Sequence, residues 1–205
     1  MTILKTNPLL LILVVSSALL LAGCATPSQP TRFYRLDGQL LVPETISLKP
    51  RTGVPLIGLG PVRLAGYLDR PQIVMRLSPH RLALREFDQW AGSLQENIQQ
   101  VVSDSLRQQL GEMPLVTYPW HGSVRPDYEV HLLVRRLDQE NGKIRLQARW
   151  SLIEAQGNRL AEMQQVAIEE NVTGDDVEAS VAAANRAMAR LARRIVAGIR
   201  SQTKT

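Results

Sequence analysis

From Tyr128 to Glu169 apolar and polar residues alternate through three segments, and no other feature of the chain limits its fold as much. Alternation with a period of two puts each set of side chains on its own face of a strand. Tyr128, Val130, Leu132 and Val134 share a face in the first segment. Ile144, Leu146, Ala148, Trp150 and Leu152 do so in the second. The breaks fall at Asn141 with Gly142 and at Gly157 with Asn158, residues that accept the positive φ of tight hairpins. The pattern predicts an antiparallel meander with one packed face, and that face needs a cover. Helical spacing supplies two. Val177, Val181, Ala184, Met188, Leu191, Ile195 and Ile199 recur at steps of three and four, with Thr173 and Asp175 as available caps. Leu94, Ile98, Val101, Leu106 and Leu110 lie near one side of an earlier helix, and Gly111 sits where a left-handed C-cap is wanted. The start of that earlier helix has two readings: Asp88 capping it before Trp90, or Ser93 with Glu96 as a capping box. The expected class is α+β: a single domain with an antiparallel or mixed sheet packed against two amphipathic helices.

Shorter signals precede the meander. Phe33, Tyr34, Arg35 and Leu36 form a strand-like patch, followed by a loop marked by Pro43, Pro50 and Gly53. Pro55 to Leu64 alternates with Ile57 and Leu59 on one face, and Pro61 demotes part of it to an edge or a bulge. Gln72–Leu77 and Arg81–Phe87 read as a hairpin joined by Ser78, Pro79 and His80. Pro114 releases the chain into a short strand, Leu115–Tyr118. No internal repeat at solenoid spacing is visible.

The N-terminus carries an export signal. Lys5 is the only charge in Met1 to Pro8, and an uncharged apolar run follows from Leu9. That run falls short of the roughly 20 residues needed to cross a bilayer. Leu21, Ala22, Gly23 and Cys24 form a lipobox, whose small residues admit a peptidase and whose thiol takes the lipid. Residues 1–23 are therefore expected to be a lipoprotein signal peptide, 24–31 a lipidated tether broken by Pro27 and Pro30, and 32–205 the domain. Ala25 after the cysteine, where an Asp would argue for inner-membrane retention, points to a periplasm-facing anchor in the outer membrane. Cys24 is the only cysteine, so packing must stabilise the domain without disulfides. The formal charge is +5, or +4 without Lys5, and most of it is arginine. Export removes nucleic acid as a partner, and an aromatic content of 4% leaves few platforms for stacking bases. Anionic headgroups or an acidic protein surface are the counterparts expected instead.

Chemistry-bearing clusters are few. Asp127, Glu129 and His131 share one side of a strand, but that is its solvent face and no second ligand cluster is in sight, so no metal is expected. His80, His121 and His131 lack the spacing of a zinc peptidase, and no nucleophile elbow occurs. Gly58, Leu59 and Gly60 run into Pro61 and a strand instead of opening a helix, which excludes a nucleotide loop. Arg186, Arg190, Arg193, Arg194 and Arg200 decorate the polar side of the last helix. They are either a solvated face or an electrostatic patch for a negatively charged partner or phospholipid headgroups.

A lipobox, the patch at Phe33 to Leu36, the stretch Leu68, Asp69, Arg70, Pro71, Gln72 and Ile73, Trp90 opening a helix, and an amphipathic C-terminal helix occur in that order. Together they resemble the ABC-type transport auxiliary lipoproteins, the PqiC- and YmbA-like group, over nearly all of the mature chain. The most specific part is Leu68 to Arg76 with Trp90. The resemblance implies a non-enzymatic accessory without cofactor, docking an MCE-domain protein of an intermembrane lipid transport system. It leaves open whether the chain itself holds phospholipid and whether it forms a homo-oligomer. It also implies that Leu68, Asp69, Arg70, Pro71 and Trp90 are a family motif, with Asp69 and Arg70 as a contact or conformational element or as a salt-bridged turn. The alternative is an assembly or pilot lipoprotein of another outer-membrane complex.

Overall fold

A computed structural model describes residues 29–37, 53–156 and 159–203, and the domain unit begins at Thr31. The lipobox, most of the tether, the loop at Pro43 and Pro50, and the turn at Gly157 and Asn158 lie outside the described residues. The elements are β1 (Arg32–Tyr34), β2 (Ile57–Leu64), β3 (Gln72–Ser78), β4 (Arg81–Trp90), α1 (Leu94–Leu110), β5 (Leu115–Thr117), β6 (Tyr128–Glu140), β7 (Lys143–Glu154), β8 (Arg159–Asn171) and α2 (Val177–Thr203). The class is the expected α+β: a mixed sheet with both helices packed on one face.

The meander forms as the alternation predicts, with β7 antiparallel to β6 on one side and to β8 on the other. Asn141 at φ 50° and Gly142 at φ 71° make the first turn. The sheet forks at the other edge of β6. Its first half, Tyr128 to Val134, pairs in parallel with β2, and its far end meets β3 through Met75 and Gln139. β2 continues one arm through a parallel pairing with β5. The β3–β4 hairpin, with β1 parallel to β4, makes the other arm. The sheet is mixed because parallel neighbours come from distant parts of the chain, on which local alternation is silent.

Two irregularities re-aim the strands. Gly60 and Pro61 lie where the register of β2 against β6 shifts between Leu59 and Val62, so Pro61 makes the bulge. β6 slips by one residue against β7 between Val134 and Arg136, which changes the phase of its buried side chains. Val130, Leu132 and Val134 are buried before the slip, Leu137 and Asp138 after it.

Both helices need precise starts. Ser93 Oγ accepts from the Glu96 amide at 3.4 Å, so Ser93 caps α1, while Asp88 and Trp90 belong to β4. Trp90 therefore closes a strand instead of opening a helix. Gly111 ends α1 with the expected positive φ of 68°, but its ψ of −116° lies outside the left-handed helical well. Asp176, in place of Thr173 or Asp175, caps α2 by accepting from the Ala179 amide at 2.7 Å. In α1 all six residues from Val101 to Leu106 are buried, including Ser103, Asp104 and Ser105. The helix keeps its exposed polar side at Glu96, Gln100 and Gln108, and over this stretch the core also covers its flanks.

Trp150 is the centre of the core and fully buried. A Cβ added to Gly198 of α2 would stand 2.2 Å from its ring, so the glycine is what lets the helix backbone approach the indole. Among the described residues no helix is long and apolar enough to cross a membrane.

Candidate functional site

The basic face of α2 is built by helical spacing and divided by its surroundings. Arg186 and Arg190 are held against the outer strand. Arg190 Nη1 lies 2.8 Å from Glu170 Oε1 and donates to the Glu169 carbonyl at 3.0 Å, and Arg186 Nη2 donates to the Asn171 carbonyl at 2.7 Å. These bonds satisfy carbonyls on the otherwise open edge of β8. Arg200 Nη2 donates to the Gln109 carbonyl at 2.6 Å, capping the end of α1. Arg193 and Arg194 are exposed, and among the described residues neither has an ion-pair partner. The five arginines thus comprise three with structural bonds and two whose charge faces outward.

The motif around Pro71 is a tight turn joined to a strand end. Leu68 donates to the Ala65 carbonyl at 2.8 Å, Arg70 to the Leu68 carbonyl at 2.9 Å, and the Trp90 amide to the Pro71 carbonyl at 2.7 Å. Asp69 is exposed. The motif splits accordingly: Leu68 and Trp90 are buried, and Pro71 fixes the entry to β3. Leu68 and Trp90 line an apolar cleft of about 500 Å³, counting space open to solvent, together with Ile73, Leu94 and Val181. Asp138 contributes a charge to its wall.

Sequence reasoning passed over the role of the buried aspartates, Asp88, Asp104 and Asp138, in holding neighbouring segments. Asp138 is fully buried at its carboxylate and accepts from Arg76 Nη2 at 3.0 Å, Arg136 Nε at 2.8 Å and Tyr67 Oη at 3.2 Å. It joins β3, β6 and the turn before β3. The signal was present: Leu137 breaks the alternation that Val134 and Arg136 would have continued, which marks the slip that turns Asp138 inward. Tyr67 titrates above its ordinary range, first because it is buried and then because of the Asp138 charge. Arg76 is held further toward its charged form, chiefly by its hydrogen bond to Asp138.

Asp88 does the same for β1. Its carboxylate accepts from Arg32 Nε at 2.8 Å and Tyr34 Oη at 3.1 Å, and Arg85 lies 3.8 Å away. Burial pushes this carboxyl up. The bonds from Arg32 and Tyr34 and the charges of Arg32 and Arg85 outweigh it and hold the group below its ordinary value. Asn97 of α1 clasps the chain just beyond β1, accepting from the Leu36 amide at 2.7 Å and donating to the Leu36 carbonyl at 2.9 Å. Leu36 itself is fully buried. The third buried aspartate, Asp104, accepts from Gln100 at 3.0 Å and lies 3.4 Å from Arg107.

Asp127, Glu129 and His131 do not assemble into one cluster. Asp127 Oδ2 accepts from the Leu56 amide at 2.7 Å, whereas Glu129 and His131 pair with each other at 3.1 Å. The Gly58 and Gly60 pair gives room to rings instead of phosphates: added Cβ atoms would meet Pro126 and His131 within 3 Å. Cys24 lies outside the described residues.

Among curated proteins, none matches this chain. Solved structures do. A protein from Xanthomonas campestris is 16% identical with a TM-score of 0.68, the match covering 85% of this chain and all of that one. The crystal structure of an uncharacterized protein is 17% identical with a TM-score of 0.67, covering 83% of this chain and 99% of the other. At such identities they establish the shared fold. The family model described as ABC-type transport auxiliary lipoprotein component matches residues 34–196, from the start of the Asp88 and Asn97 clasp through most of α2. The chain belongs to that family: it is an ABC-type transport auxiliary lipoprotein component.

Proposed function

We propose that this auxiliary lipoprotein is anchored by acylated Cys24 in the outer membrane, faces the periplasm, and docks an MCE-domain protein of an intermembrane lipid transport system through the arginine face of α2. The observation that carries the docking surface is the division among its arginines. Arg186 and Arg190 are fixed by Glu170 and by strand carbonyls, which orders the helix surface. Arg193 and Arg194 then present charge from an ordered helix, so little backbone freedom remains to be lost on binding. Charge of one sign on a rigid face steers an acidic partner and sets its orientation more than it adds raw affinity.

The role asked of this chain is binding, not catalysis. A partner passing lipid needs a fixed station on the receiving membrane, and a lipid-anchored domain with a pre-formed cationic face meets that need.

Co-purification tests the reading. Replacing Arg193 and Arg194 with Glu should abolish recovery of the MCE partner while circular dichroism stays unchanged, since neither side chain has a structural bond among the described residues. In the unmodified protein, recovery of the partner should fall as salt is raised, because screening weakens the attraction. Full recovery of the partner by the doubly reversed variant would refute the docking surface. Removing residues 33–36 would be a poorer test, because it takes Leu36 out of the core.

A further inference from the structure

The chain contains two phenylalanines, and both are exposed on one face of the sheet. Phe33 is 64% exposed and Phe87 42%. Phe33 stands opposite Gln89 across the parallel β1–β4 pairing, and Phe87 is two residues before Gln89 on β4. The Asp88 side chain between them points the other way, into the bonds with Arg32 and Tyr34. Alternation therefore puts both rings on the face away from the helices. Leu84 opposite Val74 extends the same face, and Leu84 is 37% exposed. Large apolar side chains gathered on one exposed surface need an occupant.

We propose that this face of the β1–β4–β3 arm lies against the surface of the lipid leaflet that holds the anchor, with Phe33 and Phe87 entering the headgroup region. The occupant follows from chain length. Cys24 is eight residues before Arg32, and eight extended steps span no more than about 30 Å. The proposal rests on the reading of Cys24 as the acylated residue. Once it is acylated, β1 and its neighbours are kept within that reach of the leaflet. Exposed Arg35 lies two residues beyond Phe33, exposed Arg81 starts β4 at the hairpin end of the arm, and Glu86 adds an exposed carboxylate beside Phe87. Aromatic rings flanked by arginine suit an interface where an apolar body sits among acyl chains and cations meet anionic headgroups. Contact at this face would give the anchored domain a fixed pose on the leaflet. It would leave the arginine face of α2, on the other side of the sheet, directed away from the leaflet and toward an arriving partner.

The test uses the mature full-length protein in vesicles of phosphatidylethanolamine and phosphatidylglycerol. Gln89→Cys puts a single reactive thiol between the two rings without altering either, and Ala197→Cys places a control on the exposed side of α2. With Cys24 acylated, a thiol-reactive fluorophore reports each site alone. The expected result is quenching of the label at 89 by lipid-borne nitroxide several-fold above that at 197, with iodide showing the reverse order. Replacing Phe33 and Phe87 together with Ser should erase the difference. Equal access of iodide to both sites would overturn the proposal, as the face would then be in water. Protection at 89 from both iodide and lipid-borne nitroxide would also overturn it, because the cover would then be protein, such as a second copy of this chain. The mass of the N-terminal peptide reads acylation separately. A missing acyl group would refute the anchor, while the two quenchers would still report the face.

Discussion

At the scale of single residues, stability depends on two buried positions, Gly198 and Asp138. Gly198 falls in the middle of a helix, where glycine costs roughly 1 kcal/mol relative to alanine. That cost is accepted because Trp150 occupies the space a Cβ would need, at 2.2 Å. Gly198→Ala should therefore destabilise the domain by about 1–3 kcal/mol despite its better helix propensity. A lowered denaturant midpoint would show it, and a raised midpoint would mean that helix and indole can separate cheaply. Asp138 is the second case. Its carboxylate is closed from water while Arg76 and Arg136 beside it keep side-chain exposures of 15% and 17%. Asp138→Ala leaves two guanidiniums facing each other over an empty site, and breaking such a buried tie costs about 3–5 kcal/mol. The guanidiniums' residual contact with water argues for the lower end, checked by chemical denaturation against Asp138→Asn, which keeps the shape and loses the charge.

At the scale of elements, the legible parts were those that carry their own periodicity. The meander of β6, β7 and β8 and the two helices followed from local spacing, as did the β3–β4 hairpin and the bulge at Pro61. What spacing could not convey was set by distant neighbours. The parallel partners of β6 lie far away in the chain, and Trp90 was drawn into a strand by the Pro71 carbonyl although its position before Leu94 suggested a helix start. The arginine row on α2 was visible, but its division was not, because Glu170 and the carbonyls of β8 decide which arginines are spent. β1 is the element whose attachment depends most on charge. The folded-state value of Asp88 lies below its ordinary value, so its bonds contribute stability above the unfolded value near about 4. They are lost as pH falls through the lower folded value. Acid should thus free β1 before the rest of the domain. The Ala91 amide, which donates to the Tyr34 carbonyl at 2.8 Å, is the probe: its hydrogen-exchange protection should fall selectively below about pH 4. Asp88→Asn should weaken that protection at neutral pH and remove its acid dependence.

At the scale of the whole molecule, the clasp of residues 32–37 joins the proposed membrane tether to the domain's own core. β1 is paired to β4, Asp88 holds it from below, Asn97 grips the Leu36 backbone, and Leu36 is fully buried. Any pull or pose transmitted from the tether therefore enters through the sheet and α1 and not through a loose terminus. The core itself is assembled from Leu36 to Ile199, with no disulfide to close it. Folding and address are then separable properties of the chain. Cys24→Ser should give a protein with the unmodified thermal midpoint and circular dichroism spectrum, because its core residues are untouched. If acylated Cys24 anchors the domain as proposed, the same variant should fail to support transport in cells. Restoring activity by an unrelated lipid anchor fused ahead of residue 29 would show that tethering, and not the cysteine's chemistry, is the requirement. Full activity of the unanchored form would instead mean that the arginine face of α2 finds its partner without help from the membrane.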